Sequence, residues 1–265
     1  MSMEIDLTTL LSRTNWTNPD LDLLIHEIVE YDMRNGGFSI IREHRLISER
    51  EIEQILRIKD KHEQHVAIGN LTRDRNHKGL AAQMNEGFRQ YRLRFGKNNE
   101  LSPDDIVSIK KDALFVKKYC YDLKFGDYIE FREKNVYQGF IRINKLEGYW
   151  NEDRIDIKGV SDENLDRYHR DYTCKMIWRF MRHLVQYDNE RAVKYIVRMM
   201  NDYKHLRLDP GYYRTFDDKS IYPVTLPTGQ QLLISELGPG MLPLCNVEYN
   251  YKNVYIPLLN IATLL

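Results

Sequence analysis

The amino-acid sequence predicts an α+β fold: an antiparallel sheet of four to six strands, N-terminal helices packed on it and a C-terminal helical hairpin. Residues 105–143 alternate apolar and polar positions or run apolar in short stretches, as strands do. The stretches on either side carry apolar residues at helical steps of three and four. Since 265 residues is long for one compact domain and short for two, we expect one cooperative unit, with an α+β body over 1–160 and a helical hairpin plus closing strands over 161–265.

The N-terminal third predicts helices separated by short strands. Asn18 is a plausible N-cap with Pro19 at the first helical position, so we predict a helix from there to Gly36. A short strand is expected over 38–48. Ser48 and Glu51 have the spacing of a capping box, which predicts that the next helix starts there.

A strand and turn are expected over 66–77, and the clearest helix follows at 78–95. Its apolar side is formed by residues at steps of three or four: Leu80, Met84, Phe88, Tyr91 and Phe95. Four strands in a meander should follow over 105–143, because short connections favour pairing of neighbours. A helix beginning at Ser161 or Asp162 and a second one capped by Asp188 make the helical hairpin, and one or two strands around Asn250 should close the fold.

The charge balance and the cysteines restrict the class of protein. The 39 basic and 39 acidic residues cancel, so a nucleic-acid or membrane surface must be recognised by a local patch. Three cysteines lie far apart without a C-x-x-C spacing, which predicts reduced thiols and a cytoplasmic location. The longest apolar run, IPLLNIATLL, is shorter than the roughly 20 residues that cross a bilayer, so we expect no membrane partner.

The most basic stretch of the chain lies at the helix predicted over 78–95 and just before it. Arginine and lysine side chains there, interleaved with Tyr91 and Phe95, predict a face that follows phosphates and stacks bases. The candidate nucleic-acid-binding residues are Arg73, Arg75, Lys78, Arg89, Arg92, Arg94 and Lys97. A solvated helix face, partly neutralised by the acidic stretch after it, is the alternative.

A hairpin at residues 104–118, DDIVSIKKDALFVKK, carries Asp112 at its turn between two apolar strands. This element resembles the hairpin on which palm-type polymerases hold a metal-binding aspartate. The wording of IVSIKKDALF and KFGDYIEFREKNVY is similar to that of small proteins from bacteriophage replication and host-takeover modules. Lys110 and Lys111 depart from the palm pattern, since their charge opposes metal binding next to Asp112.

An enzyme would need further carboxylates. Asp127 and Glu130, on the strand after the hairpin, are the candidate partners of Asp112 for metal-dependent nucleotidyl transfer or nuclease chemistry. The alternation of Glu130 and Arg132 with Ile129 and Phe131 is equally typical of a half-exposed strand. No histidine cluster and no phosphate-binding loop is evident, so we predict no metal site and no cofactor.

An aromatic turn near the C-terminus is a candidate partner-binding site. Large side chains that dominate interfaces follow a Pro-Gly turn there: Tyr212, Tyr213, Arg214 and Phe216. The alternative is that they cover the open end of the helical hairpin.

The leading hypothesis is an accessory protein of a phage-like nucleic-acid module, non-catalytic or catalytically degenerate, that binds nucleic acid or a nucleic-acid-processing protein. The alternatives are the enzyme using Asp112 and a protein-interaction module, an inhibitor or a homo-oligomer.

Overall fold

The computed structural model describes residues 6–159, 170–205, 207–208, 212, 224–225, 231–232 and 251–264. By its contacts the chain forms two compact units. The first unit comprises Met1–Pro19 and Glu27–Val136, and the second comprises Asp20–His26 and Tyr137–Leu265. Each has its own antiparallel sheet and its own helices, which confirms the predicted α+β fold class.

The described residues form eight helices and eleven strands. The helices are α1 (Leu7–Leu11), α2 (Gly36–Glu43), α3 (Glu49–Arg57), α4 (Lys61–Arg73), α5 (Leu80–Asn98), α6 (Lys175–Gln186), α7 (Asn189–Lys204) and α8 (Ile256–Leu264). The strands are β1 (Asn15–Thr17), β2 (Leu23–Leu24), β3 (Ile28–Met33), β4 (Ile106–Lys110), β5 (Ala113–Val116), β6 (Phe131–Tyr137), β7 (Gly139–Ile143), β8 (Leu146–Trp150), β9 (Ile155–Lys158), β10 (Val224–Thr225) and β11 (Gln231–Leu232).

The sheet of the first unit has five strands in the order β1-β4-β5-β3-β6. The hairpin of β4 and β5 is confirmed, with Ile109 opposite Leu114. The simple meander is wrong, because β3 lies beside β5 and separates it from β6, with Tyr31 opposite Leu114. Strand β3, from the N-terminal part of the chain, therefore occupies the position beside β5 that the meander would give to the next strand in sequence.

The helix predicted from Asn18 to Gly36 is wrong, because this stretch forms β2 and β3. In β3 the core residues alternate, and Val29, Tyr31 and Met33 are buried in the core of the first unit. Glu30 and Asp32 alternate with them and so lie on the other face of the sheet. The pairing with β5 thus outweighs the helical spacing of the residues before it.

The strands predicted over 38–48 and 66–77 are also wrong, since most of these residues lie in α2 and α4. Helix α2 packs closely on α5. A Cβ on Gly87 of α5 would lie 2.6 Å from Cγ2 of Ile40, so the glycine allows the two helices to approach. Burial of the face of α2 that contacts α5 therefore stabilises a helix that the local sequence pattern does not predict.

Two sequence signals at helix starts are confirmed. Ser48 and Glu51 form the capping box of α3, in which the Ser48 N–H donates to Glu51 Oε2 at 2.9 Å. Helix α5 has the expected apolar side, and Phe95 packs on Tyr31 of the sheet with ring centroids 5.2 Å apart. The longest helix of the first unit is therefore placed by its apolar face.

Arg92 joins α5 to two distant loops. Its side chain is 1% exposed and donates Nε to the Leu11 carbonyl at 3.0 Å and Nη2 to the Arg13 carbonyl at 3.0 Å. Nη1 donates to the carbonyl of Lys111 at the β4–β5 turn. Burial lowers the pKa of Arg92 to about 10, and the negative charge of Asp112 opposes that change.

The second unit has a four-stranded sheet in the order β2-β7-β8-β9, and the pairs β7–β8 and β8–β9 are consecutive and antiparallel. The indoles of two tryptophans link β8 to α6. Trp150 donates to the carbonyl of Trp178 at 3.1 Å, and Trp178 donates to the carbonyl of Asn151 at 3.0 Å. These bonds fix the sheet on the helical hairpin.

The helical hairpin of α6 and α7 is confirmed, and Asp188 caps α7 by accepting from the N–H of Arg191 at 2.7 Å. The predicted start of the first helix at 161 or 162 lies outside the described residues. The closing strands are wrong over 251–264, which form a π-helical turn and α8. Leu258 and Ala262 are buried in the core of this unit, so the apolar tail packs as a helix.

We expect Arg92→Leu to lower the free energy of unfolding by about 3 kcal/mol, because three backbone carbonyls, one of them buried with Leu11, lose the donor that joins their segments to α5. Urea unfolding followed by circular dichroism measures the change. Arg94→Leu, two residues away and exposed, is the matched control and should cost less than about 1 kcal/mol. Equal effects of the two changes would contradict the structural role of Arg92.

Candidate functional site

Five exposed cations lie between the end of α4 and the end of α5, and we call them the basic segment: Arg73, Arg75, Lys78, Arg94 and Lys97. Within the part of the chain that the structure describes, none of them forms an ion pair. Gly79, with φ of +96°, makes the turn from this approach into α5. Arg94 and Lys97 are three residues apart on the helix and therefore lie on neighbouring positions of its surface.

Two of the predicted nucleic-acid-binding residues have other partners. Arg89 donates Nε to Glu86 Oε2 at 2.7 Å. Hydrogen bonds from Arg89 and Gln90 lower the pKa of Glu86 to about 2, so this ion pair persists across the neutral range. Arg92 is buried on backbone carbonyls. The exposed charge of the helix is therefore smaller than the sequence suggests.

The aromatic residues beside these cations are core residues. Tyr91 is 4% exposed and Phe95 is fully buried, so neither offers a ring on which a base could stack. Arg94 instead lies over the rings of Tyr91 and Phe125, 5.5 and 5.6 Å from their centroids. The Arg94 guanidinium therefore lies at the edge of the core, and what α5 exposes here is charge and not an aromatic ring.

Asp112 lies at the β4–β5 turn against the first residue of α2. A Cβ on Gly36 would be 3.0 Å from Asp112 Oδ2. Burial raises the pKa of Asp112, and the negative charge of Asp32 raises it further, while Lys111 and Lys134 act in the opposite direction. Asp32 lies in β3 opposite Ala113, the residue after Asp112, so the two carboxylates are near enough for their charges to interact, and we call them the acidic pair.

Asp32 is the residue that the sequence analysis missed, because it lay inside a predicted helix. The alternation of Val29, Tyr31 and Met33 with Glu30 and Asp32 is the signal that could have found it.

Charged pairs connect β3 and the residue after it to β6 and the residue before it, on the sheet face that carries Glu30 and Asp32. Three pairs run in opposite order along the two strands: Arg34 with Glu130 at 3.0 Å, Asp32 with Arg132 at 3.3 Å and Glu30 with Lys134 at 3.1 Å. Glu30 is 2% exposed and also accepts from Asn135 at 2.6 Å, so it is a satisfied buried carboxylate. Charge complementarity therefore places β6 beside β3.

The other two predicted catalytic carboxylates lie apart from this pair. Glu130 is bonded to Arg34, and Asp127 is exposed in the bend before β6. Among the described residues, no three His, Cys, Asp or Glu side chains are arranged to hold a metal ion. Asp112, Asp127 and Glu130 are therefore not grouped as ligands of one metal ion.

The two lysines at the β4–β5 turn contact different residues. Lys110 Nζ donates to Thr17 Oγ1 at 2.9 Å, and the Lys111 ammonium lies 5.3 Å from the centroid of Phe88. Lys111 has φ of +53°, which the tight turn requires.

Of the predicted partner-binding residues, Tyr212 is half-buried and packs edge-on against Tyr172, with ring centroids 4.9 Å apart. Tyr213, Arg214 and Phe216 lie outside the described residues, so their role stays a prediction. No helix in the described ranges combines the length and the apolar character needed to cross a membrane.

Fold and site together define an α+β protein with the exposed basic segment at the two ends of α5 and a half-buried acidic pair at the end of its central strands. The chain belongs to the family described as bacteriophage PBS1 gene 130 protein, whose family model matches residues 3–230. No curated protein shows significant similarity to it. The family confirms the resemblance to bacteriophage proteins.

We expect Asp112→Asn to raise the thermal midpoint at pH 7 by a few degrees. The folded-state pKa of Asp112 lies above the ordinary value of 3.8, so stability is lost progressively as the pH rises above 3.8, and the loss is complete once the pH exceeds the raised pKa. Below the ordinary value both states are protonated, and the gain should vanish there. Differential scanning calorimetry from pH 3 to 8 measures it.

Asp127→Asn removes an exposed carboxylate of the same unit and is the control, with little expected change at any pH. A gain for Asp112→Asn that is independent of pH would contradict this account.

Proposed function

We propose that the protein is an accessory protein of a phage nucleic-acid module and that it binds nucleic acid through the basic segment. The observation that carries the proposal is the set of five exposed cations without ion pairs among the described residues, in a chain whose net charge is zero. A neutral chain has no overall field that would attract a polyanion, so the local segment must supply the attraction.

The physics of phosphate contacts sets the expected behaviour. Each cation that neutralises a phosphate releases a counterion, so five contacts would give a slope of log K against log salt of about −4.5 on duplex DNA. Since the neighbouring aromatic rings are buried, discrimination between bases should be weak. The same cations could instead meet an acidic surface of a nucleic-acid-processing protein, and competition by nucleic acid distinguishes the two partners. A cytoplasmic location and a homo-oligomer stay predictions from the sequence.

The test neutralises four residues of the basic segment together: Arg75→Gln, Lys78→Gln, Arg94→Gln and Lys97→Gln. Binding to labelled single-stranded and double-stranded DNA and to RNA is measured by fluorescence anisotropy in a salt series. We expect the affinity at about 0.1 M salt to fall at least tenfold and the slope to lose up to about 3.6 units, because four counterion-releasing contacts are removed.

The matched control removes two arginines and two lysines that are exposed elsewhere in the first unit: Arg50→Gln, Arg57→Gln, Lys59→Gln and Lys61→Gln. It has the same net charge and should keep most of the affinity and the slope. If both quadruple variants bind alike, or if the unaltered protein binds without salt dependence, the proposal is wrong.

A second candidate function, metal-dependent nucleotidyl transfer, is favoured by one observation, the acidic pair of Asp112 and Asp32. The negative charge of Asp32 raises the pKa of Asp112, and a divalent cation between two such carboxylates would relieve their repulsion. Arg132 and Lys134 beside Asp32 would compete with that cation.

Extension or cleavage of a labelled oligonucleotide with Mg²⁺ or Mn²⁺ tests this function. We expect Asp112→Asn and Asp32→Asn to abolish any activity, whereas Asp127→Asn and Glu130→Gln should retain it, since Glu130 is paired with Arg34. Activity that survives Asp112→Asn would exclude this site as its source.

A further inference from the structure

A cavity of about 460 Å³ in the second unit lies beside α6 and α7. Three arginines line it, Arg179 from α6, Arg198 from α7 and Arg207 just after α7, and one carboxylate, Asp202. Its volume is within the range of small-molecule sites. The described lining therefore has a positive balance of charge.

The arginines retain donors for a ligand. Asp202 pairs with Arg198 at 3.8 Å and with Arg207 at 3.5 Å, both longer than a good hydrogen bond. Arg179 is exposed and forms no ion pair within the described ranges. Because each guanidinium carries five N–H donors, most of them are left for an anion.

A neighbouring histidine, His183, lies against Tyr195 of the lining, with ring centroids 5.0 Å apart. Burial lowers the pKa of His183, and the charges of Arg182, Arg191 and Arg179 lower it further. Two tyrosines complete the lining. The Tyr195 hydroxyl is enclosed and has no hydrogen-bond partner of good geometry among the described residues, although Arg179 lies close enough to affect its pKa. Tyr212 adds a half-buried ring.

We propose that this cavity binds a compact phosphate dianion, either a free phosphate ion or the 5′-phosphate of a mononucleotide. The three guanidinium groups hold the phosphate oxygens, and planar N–H pairs of arginine match phosphate geometry. Tyr195 and Tyr212, which also line the cavity, would contact the remainder of the ligand with their rings. This site is in the second unit and is separate from the basic segment of the first.

Isothermal titration calorimetry with sodium phosphate, adenosine 5′-monophosphate and adenosine tests the proposal. Both phosphate-bearing ligands should bind and adenosine should not. Tighter binding of the nucleotide than of phosphate identifies a nucleotide as the ligand, and equal binding identifies the phosphate alone. Arg179→Gln and Arg198→Gln should each weaken the binding of both by about tenfold or more, since each removes charge-assisted hydrogen bonds.

Lys175→Gln on α6 and Lys194→Gln on α7 are the matched controls, because each removes one exposed charge a turn before its counterpart. They should change the affinity by less than about twofold. Thermal unfolding checks that all four variants are folded. Absence of binding by the unaltered protein up to about 10 mM ligand, or equal losses in test and control variants, would overturn the proposal.

Discussion

The first unit depends on a single buried guanidinium. Arg92 projects from the middle of α5 and satisfies carbonyls of Leu11, Arg13 and Lys111, which belong to the end of α1, the approach to β1 and the turn of the central hairpin. A buried charge is costly unless its donors are used, so these three segments are held where the guanidinium can reach them. The hairpin that carries Asp112 is thereby fixed to the helix that carries Arg94 and Lys97 of the basic segment.

The sequence correctly predicts those elements that are determined by residues close together in the chain. The capping box at Ser48, the cap at Asp188 and the apolar side of α5 each concern a few neighbouring residues, and all three are confirmed. The error at β3 has a different origin. Glu30 and Asp32 are stabilised by Lys134 and Arg132, about a hundred residues further along the chain. The local pattern before β3 has helical spacing, but the strand forms because residues distant in the sequence pair with it, and such tertiary pairing outweighs propensity.

The sequence identifies the charged residues of the candidate site, but it does not show which of them are exposed. Arg89, Arg92 and Arg94 look alike in the sequence, yet one is paired with Glu86, one is buried and one is exposed over two rings. Their difference arises from the helix face on which each lies and from what packs there. The same holds for the acidic pair, because Asp112 stands out at a turn whereas Asp32 becomes its neighbour only when β3 pairs with β5.

The basic segment of the first unit and the arginines of the cavity in the second unit suit anions of different shapes. Three members of the basic segment lie before α5 and two lie near its end, and α5 is a helix of 19 residues and therefore about 28 Å long. Cations spread over such a length suit an extended polyanion such as a nucleic-acid backbone. Arg179, Arg198 and Arg207 instead line one cavity, and the Asp202 carboxylate lies between two of them. Converging donors favour a compact anion, because a long polyanion would leave most of its charge outside the cavity.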